Sequence, residues 1–178
     1  MKQALLVIDV QNDYFENGKM VLENPDKALP QINKLEEFFQ KTNQPIIYVQ
    51  HINEQPDAAF FSKNTQGVEL HPSLHLTEQS VIVKKQFPNS FLQTNLESVL
   101  KSLAVEQLVI VGMMTHMCID STTRASAELG YQPIVIADAT ATRSLQFEET
   151  TISANEVQYS FLAALQTFAQ LKSTDEFL

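Results

Sequence analysis

The chain has 178 residues, with 12 Lys plus Arg against 21 Asp plus Glu, a formal net charge of −9 and an isoelectric point near 4.8. That balance argues against a basic surface for gripping nucleic acid or anionic lipid. Its one cysteine excludes an intrachain disulfide, a Cys-x-x-Cys redox pair and a cysteine-rich zinc site, and a reducing, cytoplasmic setting is the expectation that follows. Asp9 interrupts the first apolar run before it reaches the length of a signal-peptide core, and no later run approaches the ~20 residues of a membrane span. A single domain over 1–178 is expected.

In chain order, short β-branched runs alternate with segments of helical period. Strands are predicted at Ala4 to Val10, Ile46 to Gln50, Val81 to Lys84, Leu108 to Gly112 and Ile134 to Asp138, with a short one at Gln170 to Ser173. Their near-continuous apolar character suits a parallel sheet buried on both faces. Helices are predicted over Asp26 to Thr42, from a Thr94-to-Glu97 capping box to Leu103, from Met117 to Gly130, and over Asn155 to Ala169. The rhythm predicts a three-layer α/β/α, doubly wound, Rossmann-like domain with a mostly parallel sheet of about six strands. Residues 52–79 form the one long irregular stretch, a length that favours a lid or an interface.

Ligands of such sheets bind beyond the carboxyl ends of the strands. The polar residues there are Asp9, His51, Lys84, the Gly112 to Cys118 turn and Asp138. A carboxylate, an ammonium and the only thiol are therefore expected along one edge. Cys118 at a helix start gains less than one pK unit from the helix dipole, so a nearby cation is needed to activate it, and Lys84 is the candidate. Taken singly, a lone cysteine also fits core packing, Lys84 a solvated strand end, and Asp9 a helix cap or a metal ligand.

The run Ala4-Leu5-Leu6-Val7-Ile8-Asp9-Val10-Gln11-Asn12-Asp13-Tyr14-Phe15 resembles the opening motif of the isochorismatase-like cysteine hydrolases, which include nicotinamidases and N-carbamoylsarcosine amidases. Val83-Lys84, Asn89-Ser90-Phe91 and Thr94-Asn95-Leu96 follow in the same order, then Val111 to Cys118, Ser121 to Ala125 and Ala137-Asp138-Ala139. The resemblance implies a triad of Asp9, Lys84 and Cys118. Cys118 would attack a carbonyl, Asp9 would move the proton, and Lys84 would hold the carboxylate and favour the thiolate. It also implies a cis peptide between Met113 and Met114 that aims the backbone N–H groups of Met114 and Cys118 at the oxyanion.

Substrate contacts are expected from Tyr14, Phe87, Phe91 and His116, and Phe60 or Phe61 could reach a neighbouring subunit's site. Nicotinamidases carry a metal-binding Asp-x-His where this chain has His51 and Asn53, and Pro72 argues against a helical His71/His75 pair. No metal or other cofactor is expected. The partners implied are a small-molecule substrate and further copies of the chain, as a homodimer or homotetramer, with neither nucleic acid nor membrane.

Three readings stay open at this point. One is a metal-independent cysteine hydrolase of a small amide, ureide or carbamoyl compound. The second is an isochorismatase-type vinyl-ether hydrolase, which needs acid protonation by Asp9 but no thiol. The third is a non-catalytic α/β binding module. The four glycines, at 18, 67, 112 and 130, form neither a Gly-x-Gly-x-x-Gly nor a Gly-x-x-x-x-Gly-Lys loop.

Overall fold

The computed structural model describes residues 1–178. Strands β1 (Gln3–Ile8), β2 (Ile46–His51), β3 (Val81–Lys85), β4 (Gln107–Met113), β5 (Ile134–Ala141) and, near the C-terminus, Gln170–Lys172 form one parallel sheet. Helices α1 (Pro25–Lys41), α2 (Leu96–Ser102) and α3 (Asp120–Glu128) connect successive strands, whereas the crossover between β2 and β3 holds only a 3₁₀ turn, Gln66–Val68. After β5 come an antiparallel hairpin, β6 (Leu145–Phe147) and β7 (Thr150–Ile152), then α4 (Ala154–Leu165), the last sheet strand as β8, and the single turn α5 (Thr174–Phe177). The sheet order is β3-β2-β1-β4-β5-β8, the doubly wound topology expected from the sequence. No helix is long and apolar enough to cross a membrane.

Alternation along the strands divides the core in two. Leu5, Val7, Val109 and Val111 face Ile32, Leu35 and Phe39 of α1, whereas Ala4, Leu6, Ile8, Val83 and Ile110 face Leu96 and Leu100 of α2 and Leu165 of α4. Burying both faces explains why the strands read as unbroken apolar runs. Several element ends differ from expectation. The Thr94–Glu97 capping box does not form: Asn95 is the cap of α2, and the Thr94 hydroxyl donates to the Ser90 carbonyl at 2.6 Å instead. A wide π-helical turn, Thr115–Ile119, precedes α3, and α4 stops at Leu165 rather than Ala169. Asp138 does not end β5; it lies within the strand, and its Oδ1 accepts from the backbone and hydroxyl of Thr174, anchoring α5. The β6–β7 hairpin and α5 had no counterpart in the sequence reading.

Where the strand order reverses, β1 and β4 run side by side, and Ile8 pairs with Gly112. Gly112 has φ +120°, and a Cβ there would overlap the Ile8 carbonyl. Gly112→Ala is therefore expected to destabilise the domain by roughly 3 kcal/mol, a fall in Tm of about 6–12 °C readable by thermal denaturation. A Tm within about 2 °C of the parent would refute this.

Candidate active site

Asp9 follows β1 and Cys118 lies in the turn after β4, so the two flank the reversal of strand order, where this topology leaves its ligand crevice. Both are buried. Asp9 takes a left-handed conformation, φ +52°, which an aspartate tolerates better than most residues. Its backbone N–H donates to Val49 and its carbonyl accepts from Gln11, both at 3.0 Å, fixing this bend against β2.

The lysine of this cluster is Lys85, not Lys84. Along β3, Val83 and Lys85 point to the buried face that also holds Cys118, whereas Ile82 and Lys84 point outward to solvent. Side chains alternate along a strand, so a one-residue difference moves a lysine to the other face of the sheet. Lys85 Nζ lies 2.8 Å from Asp9 Oδ2, with both side chains fully buried, and donates to Cys118 Sγ at 3.2 Å. It also lies 2.9 Å from His51 Nδ1. The contact with Asp9 is an ion pair set off the carboxylate's hydrogen-bonding direction, which leaves Asp9 acceptor capacity for a thiol proton.

The electrostatics follow from burial with one cation among two acids. Burial works against the Lys85 ammonium, but Asp9 and Cys118 outweigh it and hold its pKa above the ordinary lysine value. Burial and the Asp9 charge push the Cys118 thiol up, and Lys85 opposes them without prevailing. These influences favour a thiol beside a Lys85–Asp9 ion pair, with the lysine pulling toward the thiolate against burial and Asp9. Tyr14 is also raised, by burial first and then by Cys118 and Asp9.

This arrangement carries a pH dependence of stability. Cys118 and Tyr14 stay protonated in the fold, while in the unfolded chain they ionise near about 8.5 and 10, so the native state holds more protons as pH rises. Stability is present below pH ~8.5 and lost above it. Tm is expected to fall between pH 8 and pH 10, and Cys118→Ala is expected to flatten the early part of the fall. Identical slopes in parent and variant would contradict this.

Around the cluster, Tyr14 is buried against Phe61, with ring centroids 4.6 Å apart, and Phe60 lies 6.0 Å away. Phe61 is fully buried within its own chain, so its ring packs against Tyr14 of the same chain. His116 Nδ1 and Thr142 Oγ1 are 2.6 Å apart, and burial with the nearby Arg143 lowers the His116 pKa to about 4, so its ring is neutral. The Met113–Met114 peptide is cis, and no group of the chain accepts the Met114 N–H. Phe91 does not belong here: it stacks on Tyr131 beside the α2-side core, its centroid 6.0 Å away. Phe87 is exposed beside a cleft of about 220 Å³ lined by Ile52, Lys84, Lys85 and Gln93.

Two residues of the opening motif emerge as organisers that the sequence reading left without a role. Gln11 Nε2 donates to the carbonyls of His51 and Val68, and its Oε1 accepts from the His51 N–H, so one side chain ties β2 to the long loop. Buried Asp13 accepts from the backbone of Lys19 and Phe61, at 3.0 and 2.7 Å, which secures Phe61 against Tyr14. Their signal was their place two and four residues after Asp9 in one motif. The other histidines are engaged elsewhere. His71 Nδ1 accepts from Ser73, and His75 Nδ1 lies 3.9 Å from Glu36, a buried carboxylate that also accepts from Tyr48 at 2.6 Å.

A family model described as the isochorismatase domain matches residues 3–174. The isochorismatase family protein YddQ of Bacillus subtilis (strain 168) is 48% identical over 179 residues, covering 100% of this chain and 99% of the relative. A streptothricin hydrolase of Streptomyces noursei is 29% identical over 140 residues, covering 79% of this chain and 50% of that protein. Among solved structures, one described as an isochorismatase hydrolase from Oleispira antarctica superposes with a TM-score of 0.95 at 40% identity, covering 99% and 95% of the two chains.

Proposed function

Since the chain belongs to the isochorismatase family of hydrolases, we propose that it is a metal-independent cysteine hydrolase that cleaves a C–N bond of a small amide, ureide or carbamoyl compound. One observation carries this reading: a buried ammonium, Lys85, lies 2.8 Å from Asp9 and 3.2 Å from the only thiol, Cys118. A vinyl-ether hydrolysis would use Asp9 and leave the thiol without a task. The name of the streptothricin hydrolase agrees with a hydrolytic reaction in a relative.

The chemistry proceeds from the shared proton. Asp9 and Cys118 hold one proton between them around a fixed cation, so thiol plus carboxylate and thiolate plus carboxylic acid carry the same net charge. Transfer of the proton to Asp9 therefore produces the nucleophile without placing extra charge in the interior. Sγ bonds to the carbonyl carbon, and the carbonyl electron pair moves to oxygen, facing the backbone N–H groups of Met114 and Cys118. The intermediate collapses as Asp9 returns its proton to the departing nitrogen, leaving a thioester and free amine or ammonia. Asp9 then takes a proton from water as the hydroxide attacks the thioester, and the acid leaves as Cys118 regains the proton. Tyr14, Phe60, Phe61 and His116 supply the walls of the site.

The test is a panel of small amides, ureides and carbamoyl compounds together with isochorismate, assayed with the parent, Cys118→Ala and Asp9→Asn. Turnover of a C–N substrate lost in both variants is the expected result. Turnover of isochorismate retained by Cys118→Ala would overturn the reading.

A further inference from the structure

We infer that His51 is a positioning residue for Lys85, a neutral ring protonated on Nε2 whose Nδ1 accepts one ammonium proton, and not a metal ligand. The donor atoms invite the metal reading: one each from Asp9, His51 and Cys118 lie within 4.8 Å of one another, an oxygen, a nitrogen and a sulfur. The Lys85 ammonium, however, already stands among them, 2.8 Å from Asp9 Oδ2, 2.9 Å from His51 Nδ1 and 3.2 Å from Cys118 Sγ. An ammonium has three protons and no acceptor, and here it shares protons with His51 Nδ1 and Cys118 Sγ while its charge pairs with the Asp9 carboxylate. A divalent ion among the same atoms would meet a fixed positive charge with no room to withdraw, since the Lys85 side chain is fully buried. The residues therefore do not fit a resident metal, and Asn53, two residues on, directs its Nδ2 to the Phe60 carbonyl.

The fold places His51 for this task. β2 and β3 are in register with His51 opposite Lys85, so the two side chains are neighbours across adjacent strands. Gln11 clamps the His51 backbone from the other side through its N–H and carbonyl, both at 2.9 Å. Because Nζ can only donate, Nδ1 must be unprotonated, which fixes the tautomer. The charged or titratable groups facing the ring are Lys85 from β3, Asp9 from the end of β1 and Cys118 from the turn after β4; Phe61 lies 5.9 Å away, centroid to centroid. Burial and then Lys85 lower the His51 pKa, and Asp9 opposes them. Accepting one ammonium proton at Nδ1 holds the Lys85 ammonium in place beside both Asp9 and Cys118. This role rests on the cysteine-hydrolase reading, while the tautomer and the charge coupling do not.

The test is two-dimensional ¹H–¹⁵N spectroscopy of the imidazoles in the full-length protein, with His51 assigned from His51→Asn. Expected are an unprotonated Nδ1 at pH 7, a titration midpoint below ~6.5, an upward shift of that midpoint in Lys85→Met, and no response of the ring to equimolar Zn²⁺. An Nδ1–H tautomer, a midpoint unmoved or lowered in Lys85→Met, or a stoichiometric Zn²⁺ shift would each overturn the inference. Should Lys85→Met not fold, the His51 variants decide. His51→Asn, which keeps an acceptor near Nδ1, is expected to retain kcat within about 3-fold, and His51→Ala to lose about 10- to 100-fold with KM nearly unchanged. Equal losses in the two would contradict positioning. A protein that shows the tautomer and the coupling but hydrolyses no C–N substrate would instead count against the proposed activity alone.

Discussion

Lys85→Met is expected to lower kcat/KM by at least about 10³-fold, while Lys84→Met leaves it within about 2-fold of the parent. The two lysines are adjacent in sequence but lie on opposite faces of β3, one buried against Asp9 and Cys118 and the other in solvent. Removing the buried one takes away the charge that stabilises the Asp9 carboxylate and any thiolate formed beside it. It also leaves Asp9 as an unpaired buried charge, a loss of about 3–5 kcal/mol in stability. The double variant Asp9→Asn/Lys85→Met removes both charges and is expected to recover most of that stability without recovering turnover. Activity assays and thermal denaturation of the four proteins check this together. A Lys84→Met variant as impaired as Lys85→Met would refute the assignment.

Asp9→Asn is expected to separate two properties that usually fall together. Turnover should drop by at least about 10³-fold, because nothing remains to take the thiol proton and deliver it to the leaving nitrogen. Alkylation of Cys118 by iodoacetamide at pH 8 should nevertheless become faster than in the parent. The sign follows from the causes acting on the thiol: after burial, the Asp9 charge and hydrogen bond hold its pKa up, and Lys85 acts in the opposite direction. Without the carboxylate only burial opposes the lysine, so the pKa falls and the thiolate fraction rises. Mass spectrometry of the single modified cysteine gives the rate. Alkylation that slows in step with turnover would mean that Asp9 activates the resting thiol rather than sharing its proton.

Much of this architecture was legible in the sequence because it depends on one-dimensional patterns. The five apolar runs became five strands of the parallel sheet, and the polar residues at the ends of β1 and β4 converged as the topology required. The lysine shows where pattern reading stopped. Motif order reached Val83-Lys84, but only the face on which Val83 lies tells which of Lys84 and Lys85 points inward, and the predicted strand ended one residue too early for that alternation to be followed. The second loss was the long loop. Residues 52–79 have no periodicity, and what holds them is a set of side-chain bonds from distant residues: Gln11 to Val68, Asp13 to Phe61 and Glu36 to His75. Glu36, a charged residue on α1, is buried and shared among α1, Tyr48 and the loop. Phe91, placed near the site by its motif, turned to the core beside Tyr131 because the segment before α2 is pinned by the Ser90–Thr122 hydrogen bonds.

The covalent intermediate is the claim on which the account depends, and partitioning with hydroxylamine tests it most directly. Two substrates that share an acyl or carbamoyl group but differ in their leaving amine are hydrolysed with hydroxylamine present, and the ratio of hydroxamate or hydroxyurea to the hydrolysis product is measured for each. A common thioester on Cys118 predicts the same ratio for both substrates. A ratio that changes with the leaving amine, or the absence of any hydroxylamine adduct while hydrolysis continues, would contradict it.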